Sequence, residues 1–340
     1  MAGKNKKSSD APSHHPAAPS HDSTPYLGID LGGTNIQCGV VAEGKVIARQ
    51  GTKTKAAEGA DAVIQRLVKI CDKVLDKAQL TRQDVGGLGI GAPGAIDIRK
   101  GEVIKAVNLG WNHFPLAEVL GKQLGMPVVV DNDVNVGAWG EHQAGAGRGY
   151  DDLFAIFVGT GIGGGLVLNG QIYHGAQFTA GEIGHTLLRA DAGLGRRSVE
   201  DLASRTNIVN LLVQLIESGR PSVITQLVGG DYTKVRSKVL GQALEREDPL
   251  TVEVAQRAAT YVGMAIANAV TLLSLPCVVV GGGATEAMGD TWMRWVRESF
   301  DRYVFPPELK KCKIVASELE DDAGLLGAGL LASGLTRDAG

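Results

Sequence analysis

In Pro127-Val128-Val129-Val130-Asp131-Asn132-Asp133-Val134-Asn135, three consecutive β-branched residues run into two carboxylates and two carboxamides. The valines read as a short buried strand, and residues 136–143 beyond the cluster can be helical. Carboxylates at the end of a core strand are costly unless paired, hydrogen-bonded or in use. Open α/β sheets keep their ligand chemistry at such strand ends. Two readings stand: a reacting centre, or Asp131 or Asn132 capping the following helix. The local pattern does not separate Asp131 from Asp133.

Two glycine-rich loops extend the chemistry. Gly28-Ile29-Asp30-Leu31-Gly32-Gly33-Thr34-Asn35 and Val158-Gly159-Thr160-Gly161-Ile162-Gly163-Gly164-Gly165 occupy matching hairpin positions in the two halves of the chain. Glycine lets backbone N–H groups approach an anion, and the neighbouring Thr adds a hydroxyl donor. Two such loops facing each other across a cleft would grip a polyphosphate from both sides. Neither loop fits the G-x-x-x-x-G-K-[ST] pattern or a G-x-G-x-x-G that opens a helix. A third cluster, Gly281-Gly282-Gly283-Ala284-Thr285, suits a flat nucleoside base at a strand end, or a plain strand-to-helix turn. Glu182 and His185, at i and i+3, share a face of a helical turn. They could hold paired hydroxyls or form a structural pair. His113, His142 and His174 lack motif partners and read as surface or packed side chains. Trp111 reads as a stacking platform, a lid or a core anchor.

These residues need a scaffold. Residues 26–31, 36–41 and 45–50 read as strands, followed by a helix over 59–78 in which Val63, Leu67, Ile70 and Val74 form an apolar stripe. A strand at 87–91 leads into Ala92-Pro93-Gly94, a helix starts at Pro115, and the strand at 127 follows. The second half repeats the order, with strands at 153–158, 164–168 and 171–174 and helices over 199–218 and 249–274. A strand at 277–280, a helix over 288–303, a strand at 313–316 and a helix over 323–332 complete it. The fold class is α/β with a duplicated β-β-β-α-β-α order, and residues 175–199 form an irregular polar loop.

The bulk properties exclude several functions. A net charge of −3 gives no electrostatic reason to expect nucleic acid or an anionic membrane as partner. The cysteines (Cys38, Cys71, Cys277, Cys312) are scattered without C-x-x-C spacing, which fits a reducing cytoplasm and neither a zinc site nor a disulfide framework. Residues 1–25 read as a disordered polar tail without a signal peptide's apolar run, and His14, His15 and His21 as solvated side chains. No stretch reads as a membrane span. A chain of 340 residues is long for one core and favours two domains, and its 47 glycines are about twice the usual share.

The duplicated order with a phosphate loop in each half resembles the actin-like (RNase H-like) two-lobed ATPase superfamily. Gly28–Asn35, Gly91-Ala92-Pro93-Gly94, Asn108-Leu109-Gly110-Trp111, Asn132-Asp133, Gly159–Gly165 and Gly181-Glu182-Ile183-Gly184-His185 narrow this. Over residues 27–331 the chain resembles the ROK family of sugar kinases and repressors, and within it the bacterial glucokinases. The resemblance implies ATP- and Mg²⁺-dependent phosphorylation of a hexose 6-hydroxyl, glucose foremost. Fructose, N-acetylmannosamine or a polyphosphate donor are the alternatives. It assigns the base to Asp133 and sugar contacts to Gly94, Asn132, Glu182, His185 and Glu200, leaving Asp131 as a strand-end or capping residue. It assigns nucleotide contacts to Gly32, Gly33, Thr34, Asn35, Thr160, Gly161, Gly163, Gly282 and Gly283, with Asp30 supporting Mg²⁺ through water. It further implies one lobe from 26–132 plus 323–340, a second from 133–322, a final helix at the hinge, and a homodimer. Repressors of the family carry a helix-turn-helix module, and the roughly 25 polar residues before the first strand are too few for one. The chain departs from the family between His185 and Glu200, where the usual zinc-binding cysteines are absent. No structural zinc is expected there.

Overall fold

The structure, a computed structural model, describes residues 23–336. The reading of the N-terminal tail and its three histidines therefore lies almost wholly outside the described residues. The first sheet contains β1 (Tyr26–Leu31), β2 (Asn35–Ala42), β3 (Lys45–Lys53), β4 (Leu88–Ala92) and, after a small sheet, β8 (Val128–Asn132), in the order β3-β2-β1-β4-β8. The small sheet joins β5 (Ala95–Asp97), β6 (Glu102–Ala106) and β7 (Trp111–Phe114). The second five-stranded sheet contains β9 (Leu153–Val158), β10 (Ile162–Leu168), β11 (Gln171–Ile172), β12 (Cys277–Gly281) and β13 (Lys313–Ala316), in the order β11-β10-β9-β12-β13. Each large sheet opens with an antiparallel meander and continues with two parallel strands. The sheets thus repeat one topology, as the duplicated sequence pattern implies.

The helices are α1 (Ala60–Ala78), α2 (Leu116–Leu124), α3 (Asp133–Ala144), α4 (Val199–Ala203), α5 (Arg205–Glu217), α6 (Ile224–Leu227), α7 (Ser237–Glu245), α8 (Pro249–Leu273), α9 (Gly283–Tyr303) and α10 (Ala323–Ser333). The stripe Val63, Leu67, Ile70 and Val74 buries α1 against the first sheet. α8 starts under an Asp248 cap with Pro249 at its first position, and it lies in the core of the second half. Among the described residues no helix is long and apolar enough to cross a membrane.

Several expectations need correction. The pattern over 199–218 is two helices, because Ser204 takes an extended conformation (φ −63°, ψ 151°) and caps α5. α9 starts at Gly283, before a break at Gly289, and the third strand of the second half stops at Ile172. The small sheet and α7 were not anticipated. Trp111 is neither lid nor platform: it is buried and stacked on Phe114 with ring centroids 4.5 Å apart.

α10 is apolar on all faces, so it must be buried all round. It runs against β1, β4 and α3. The crossing with α3 is backbone to backbone: a Cβ on Gly327 would come within 1.9 Å of Val136 O. α3 in turn packs on β10 and β9, so this crossing joins the two sheets.

Candidate active site

The site grows from the end of β8. Asn132 caps α3: its side-chain oxygen accepts from Val134 N (2.9 Å) and Asn135 N (3.3 Å), and its amide donates to Gly94 O (3.0 Å). The helix begins at Asp133 rather than at Val136, and the cap is Asn132, not Asp131. Gly94, at φ 93°, leaves no room for a side chain, since a Cβ would meet Lys105 O at 2.1 Å.

The two carboxylates have different surroundings. Asp131 is buried and fully engaged: it accepts from Asn132 N (2.7 Å) and Asn135 Nδ2 (3.1 Å), and its Oδ2 lies 2.6 Å from His174 Nε2. A carboxylate only accepts, so Nε2 carries the hydrogen. His174 is therefore no idle packed histidine; from beyond β11 it anchors the strand end that presents Asn132 and Asp133. Removing it leaves a buried carboxylate short of a donor, which is costly. His174→Ala should lower stability by about 2 kcal/mol and reduce kcat, while His174→Gln, which keeps a donor, recovers most of both. Urea unfolding and steady-state rates on the pair check this.

Asp133 is half-buried and accepts from Val134 N (2.9 Å). Its carboxyl is pushed up to about 7, first by burial, then by the charge of Asp30 and more weakly by Glu182, against a hydrogen bond from Val134 N. Asp30, on β1, is also raised, by burial and by Asp321 from the turn before α10. A carboxyl poised near neutrality beside a second acid is suited to general-base work.

The first glycine loop is held rigidly. Gly32 N donates to Asn35 O (2.9 Å), Thr54 Oγ1 to Gly32 O (2.6 Å), and Thr54 N to Thr34 O (2.9 Å). Lys53 Nζ donates to the Asn35 side chain (2.8 Å). A cavity of about 450 Å³ opens over Asp30, Gly33, Thr34, Arg49 and Asp321. The second loop, between β9 and β10, turns tightly through Gly159 N to Gly161 O (2.9 Å). Glu200, in the first turn of α4, accepts from Ile162 N (2.8 Å), so the structure places it beneath this loop. Gly163 lies inside β10, where a Cβ would meet Val134 Cγ2 at 2.6 Å, so packing against α3 already requires a glycine there. Gly282 (φ 86°) lies directly over Val158 as the cap of α9, which starts at Gly283.

Glu182 and His185 are exposed on a short 3₁₀ turn with His185 Nε2 3.8 Å from Glu182 Oε2. The cysteine-free segment after them folds as a small hairpin. Leu188 N and Arg189 N donate to Arg197 O, Arg197 Nε donates to Ala192 O (2.5 Å), and Ser198 with Asp201 forms a capping box at α4. Hydrogen bonds of Arg197 and Ser198 order it. Among the described residues no three or more His, Cys, Asp or Glu side chains are grouped to hold a metal, and the four cysteines are free and buried. Elemental analysis of the purified protein should find well below one zinc per chain, and a stoichiometric, tightly held zinc would contradict this account.

His113 pairs with Glu102 (2.6 Å) and His142 stacks on Trp139, both away from these loops. Sequence reasoning missed His174, Lys53 and Arg205, the last lying on the second loop with Nη2 2.6 Å from Thr160 Oγ1. No motif marks any of them.

The ROK family profile matches residues 26–334. The chain belongs to the ROK family. It is similar to a glucokinase of Halalkalibacterium halodurans, 33% identical over 315 residues that span 90% of this chain and 94% of that one. Among solved structures, a ROK family glucokinase from Streptomyces griseus in complex with glucose and AMPPNP superposes with a TM-score of 0.80 at 30% identity, covering 91% of this chain and 99% of that one. A ROK hexokinase from Thermus thermophilus gives 0.76 at 29% identity, covering 92% and 99%. The two-sheet architecture of this ROK protein is therefore the actin-like ATPase fold.

Proposed function

We propose that this ROK protein transfers the terminal phosphoryl group of ATP to the 6-hydroxyl of a hexose, with glucose as the foremost acceptor. One observation carries the reading: Asp133 sits on the N-terminal turn of α3, near Asp30 of the first glycine-loop strand, with its carboxyl pushed up to about 7. The similarity to glucokinases and the glucose and AMPPNP held by the Streptomyces griseus relative support the same acceptor and donor.

Asn132, Gly94, Glu182, His185 and Glu200 would surround the sugar. Asp133 would take the hydroxyl proton as the oxygen attacks the phosphorus, a transfer governed mostly by positioning and electrostatics. The Thr34 and Thr160 loops, with Gly32, Gly33, Asn35 and Gly161, would hold the phosphates, and Gly282 and Gly283 would accept the base. The acidic oxygens of Asp30 and Asp321 fit a hard divalent cation such as Mg²⁺, with Asp30 contributing through water. Bound with the nucleotide, that cation supplies charge neutralisation at the phosphates. We further assign residues 26–132 with 323–336 to one lobe and 133–322 to the other, so that sugar-driven closure excludes water; the last four residues of the expected range lie outside the described residues. The buried free cysteines are compatible with a reducing cytoplasm.

A panel of glucose, fructose, mannose and N-acetylmannosamine, crossed with ATP and polyphosphate, tests the reading. Highest kcat/KM with glucose and ATP is expected, and no turnover of any sugar with either donor would sink it. Differences of ~1–3 kcal/mol in pocket contacts are enough to change the preferred acceptor.

A further inference from the structure

The second glycine loop is fastened from the α4–α5 junction, and one side chain there has no role in the scheme above. Ser204 ends α4 and caps α5 through Asn207 N. The next residue, Arg205, donates its backbone N–H to Gly159 O (2.9 Å) and its Nη2 to Thr160 Oγ1 (2.6 Å). Thr206 then donates its hydroxyl to Thr160 O (2.7 Å). The guanidinium therefore rests on the loop itself, partly exposed. Among the described residues Arg205 has no carboxylate partner, unlike Arg82, Arg220 and Arg297, whose guanidinium groups are each in an ion pair.

Three physical points give this placement a purpose. A guanidinium only donates, so Thr160 Oγ1 must be the acceptor of that bond, and its own hydrogen is left to point elsewhere. Arg205 keeps further N–H donors in a planar fork suited to phosphate oxygens. The reacting side of the cleft is also acidic, with the charges of Asp30 and Glu182 both acting on Asp133. A polyanionic donor entering that field is repelled unless fixed positive charge meets it. The thirteen-residue α5 aims its N-terminus at the same loop and adds to that charge.

We propose that Arg205 is a binding residue for the terminal phosphates of the phosphoryl donor, acting with the Thr160 hydroxyl on one phosphate group. The inference rests on the kinase reading and deepens it. Its ligand chemistry is a phosphate in pyrophosphate linkage, carried by ATP or by inorganic polyphosphate.

Arg205→Ala, Arg205→Gln and Arg205→Lys in the full chain test it, with calorimetric titration of Mg-AMPPNP, magnesium tripolyphosphate, adenosine and glucose alongside steady-state kinetics. Arg205→Ala and Arg205→Gln should weaken Mg-AMPPNP about tenfold or more, raise KM for ATP, and leave adenosine and glucose affinities unchanged. Arg205→Lys should recover part of the loss. The wild-type affinity for Mg-AMPPNP should also fall more steeply with salt than that of Arg205→Gln. A matching loss on tripolyphosphate places the contact on the phosphates of either donor; a loss confined to AMPPNP restricts it to the nucleotide triphosphate. Wild-type affinity in Arg205→Gln, whose amide can still bond Thr160, would reduce Arg205 to a loop brace and overturn the proposal. An equal loss of adenosine and AMPPNP would overturn it as loop damage. Titration reads these outcomes without turnover, so absence of sugar phosphorylation in the wild type would count against the kinase reading alone.

Discussion

Asp133→Asn should lower kcat for sugar phosphorylation by about 10³-fold, within the 10²–10⁴ range of a lost general base, while glucose binding by titration changes little. The amide keeps the shape of the side chain and its place at the start of α3, but it cannot take the proton. In the wild type, kcat/KM should rise with pH and level off above about 7, because the carboxyl works only when ionised. The same shift has a stability consequence of opposite sense. In the unfolded chain this group ionises near its ordinary value of 3.8, whereas in the folded protein it holds its proton to about 7. The folded state binds more protons between those values, so the group's contribution to stability is full below 3.8 and is lost as pH rises through 7. Asp133→Asn should therefore melt at a higher temperature than wild type at pH 8, by calorimetry. Near-normal turnover in this variant would remove Asp133 from the mechanism.

Glu141→Ala should cost about 3–5 kcal/mol of stability. Glu141 is fully buried on α3, and its carboxylate accepts from Ala146 N (2.9 Å), Leu319 N (3.0 Å), Glu318 N (3.3 Å) and the Ser317 hydroxyl. Residues 317–319 lead from β13 into α10, so one side chain fastens the end of α3 to the approach of the helix that crosses it. Truncation strands four part-buried donors at once, each worth a desolvation cost of up to about 1–3 kcal/mol. Glu141→Gln, which keeps one oxygen acceptor, should lose roughly half as much. Urea unfolding of both variants gives the comparison, and an Ala variant within ~1 kcal/mol of wild type would show that the α3–α10 joint does not depend on this carboxylate.

The elements that could be read from sequence were those with a strong local signal. The α1 stripe is buried as its periodicity marks, and the long α8 and the apolar α10 lie within one or two residues of the ranges their patterns give. Ser204 defeated the period over 199–218, since both sides of it read as helix and only its backbone conformation divides them. The small sheet was invisible for the opposite reason. Its strands of three to five residues have no alternation long enough to detect.

For the site, residue types and loop spacing alone marked a polar strand end, two glycine-and-threonine loops and a Glu–His pair as candidates. Glycine, hydroxyl and carboxylate chemistry is local, and the motifs carry it. Only the tertiary structure gives the two carboxylates of that strand end different surroundings. Asp131 and Asp133 are two residues apart and chemically alike, yet a histidine just past β11 engages Asp131, while burial beside Asp30 raises Asp133 toward neutrality. Hydrogen-bond saturation and the electric field of a neighbouring strand depend on groups 43 and about a hundred residues away in the chain. Arg205 reaches Thr160 across 45 residues for the same reason. Contacts of that range exist only once the two sheets are built.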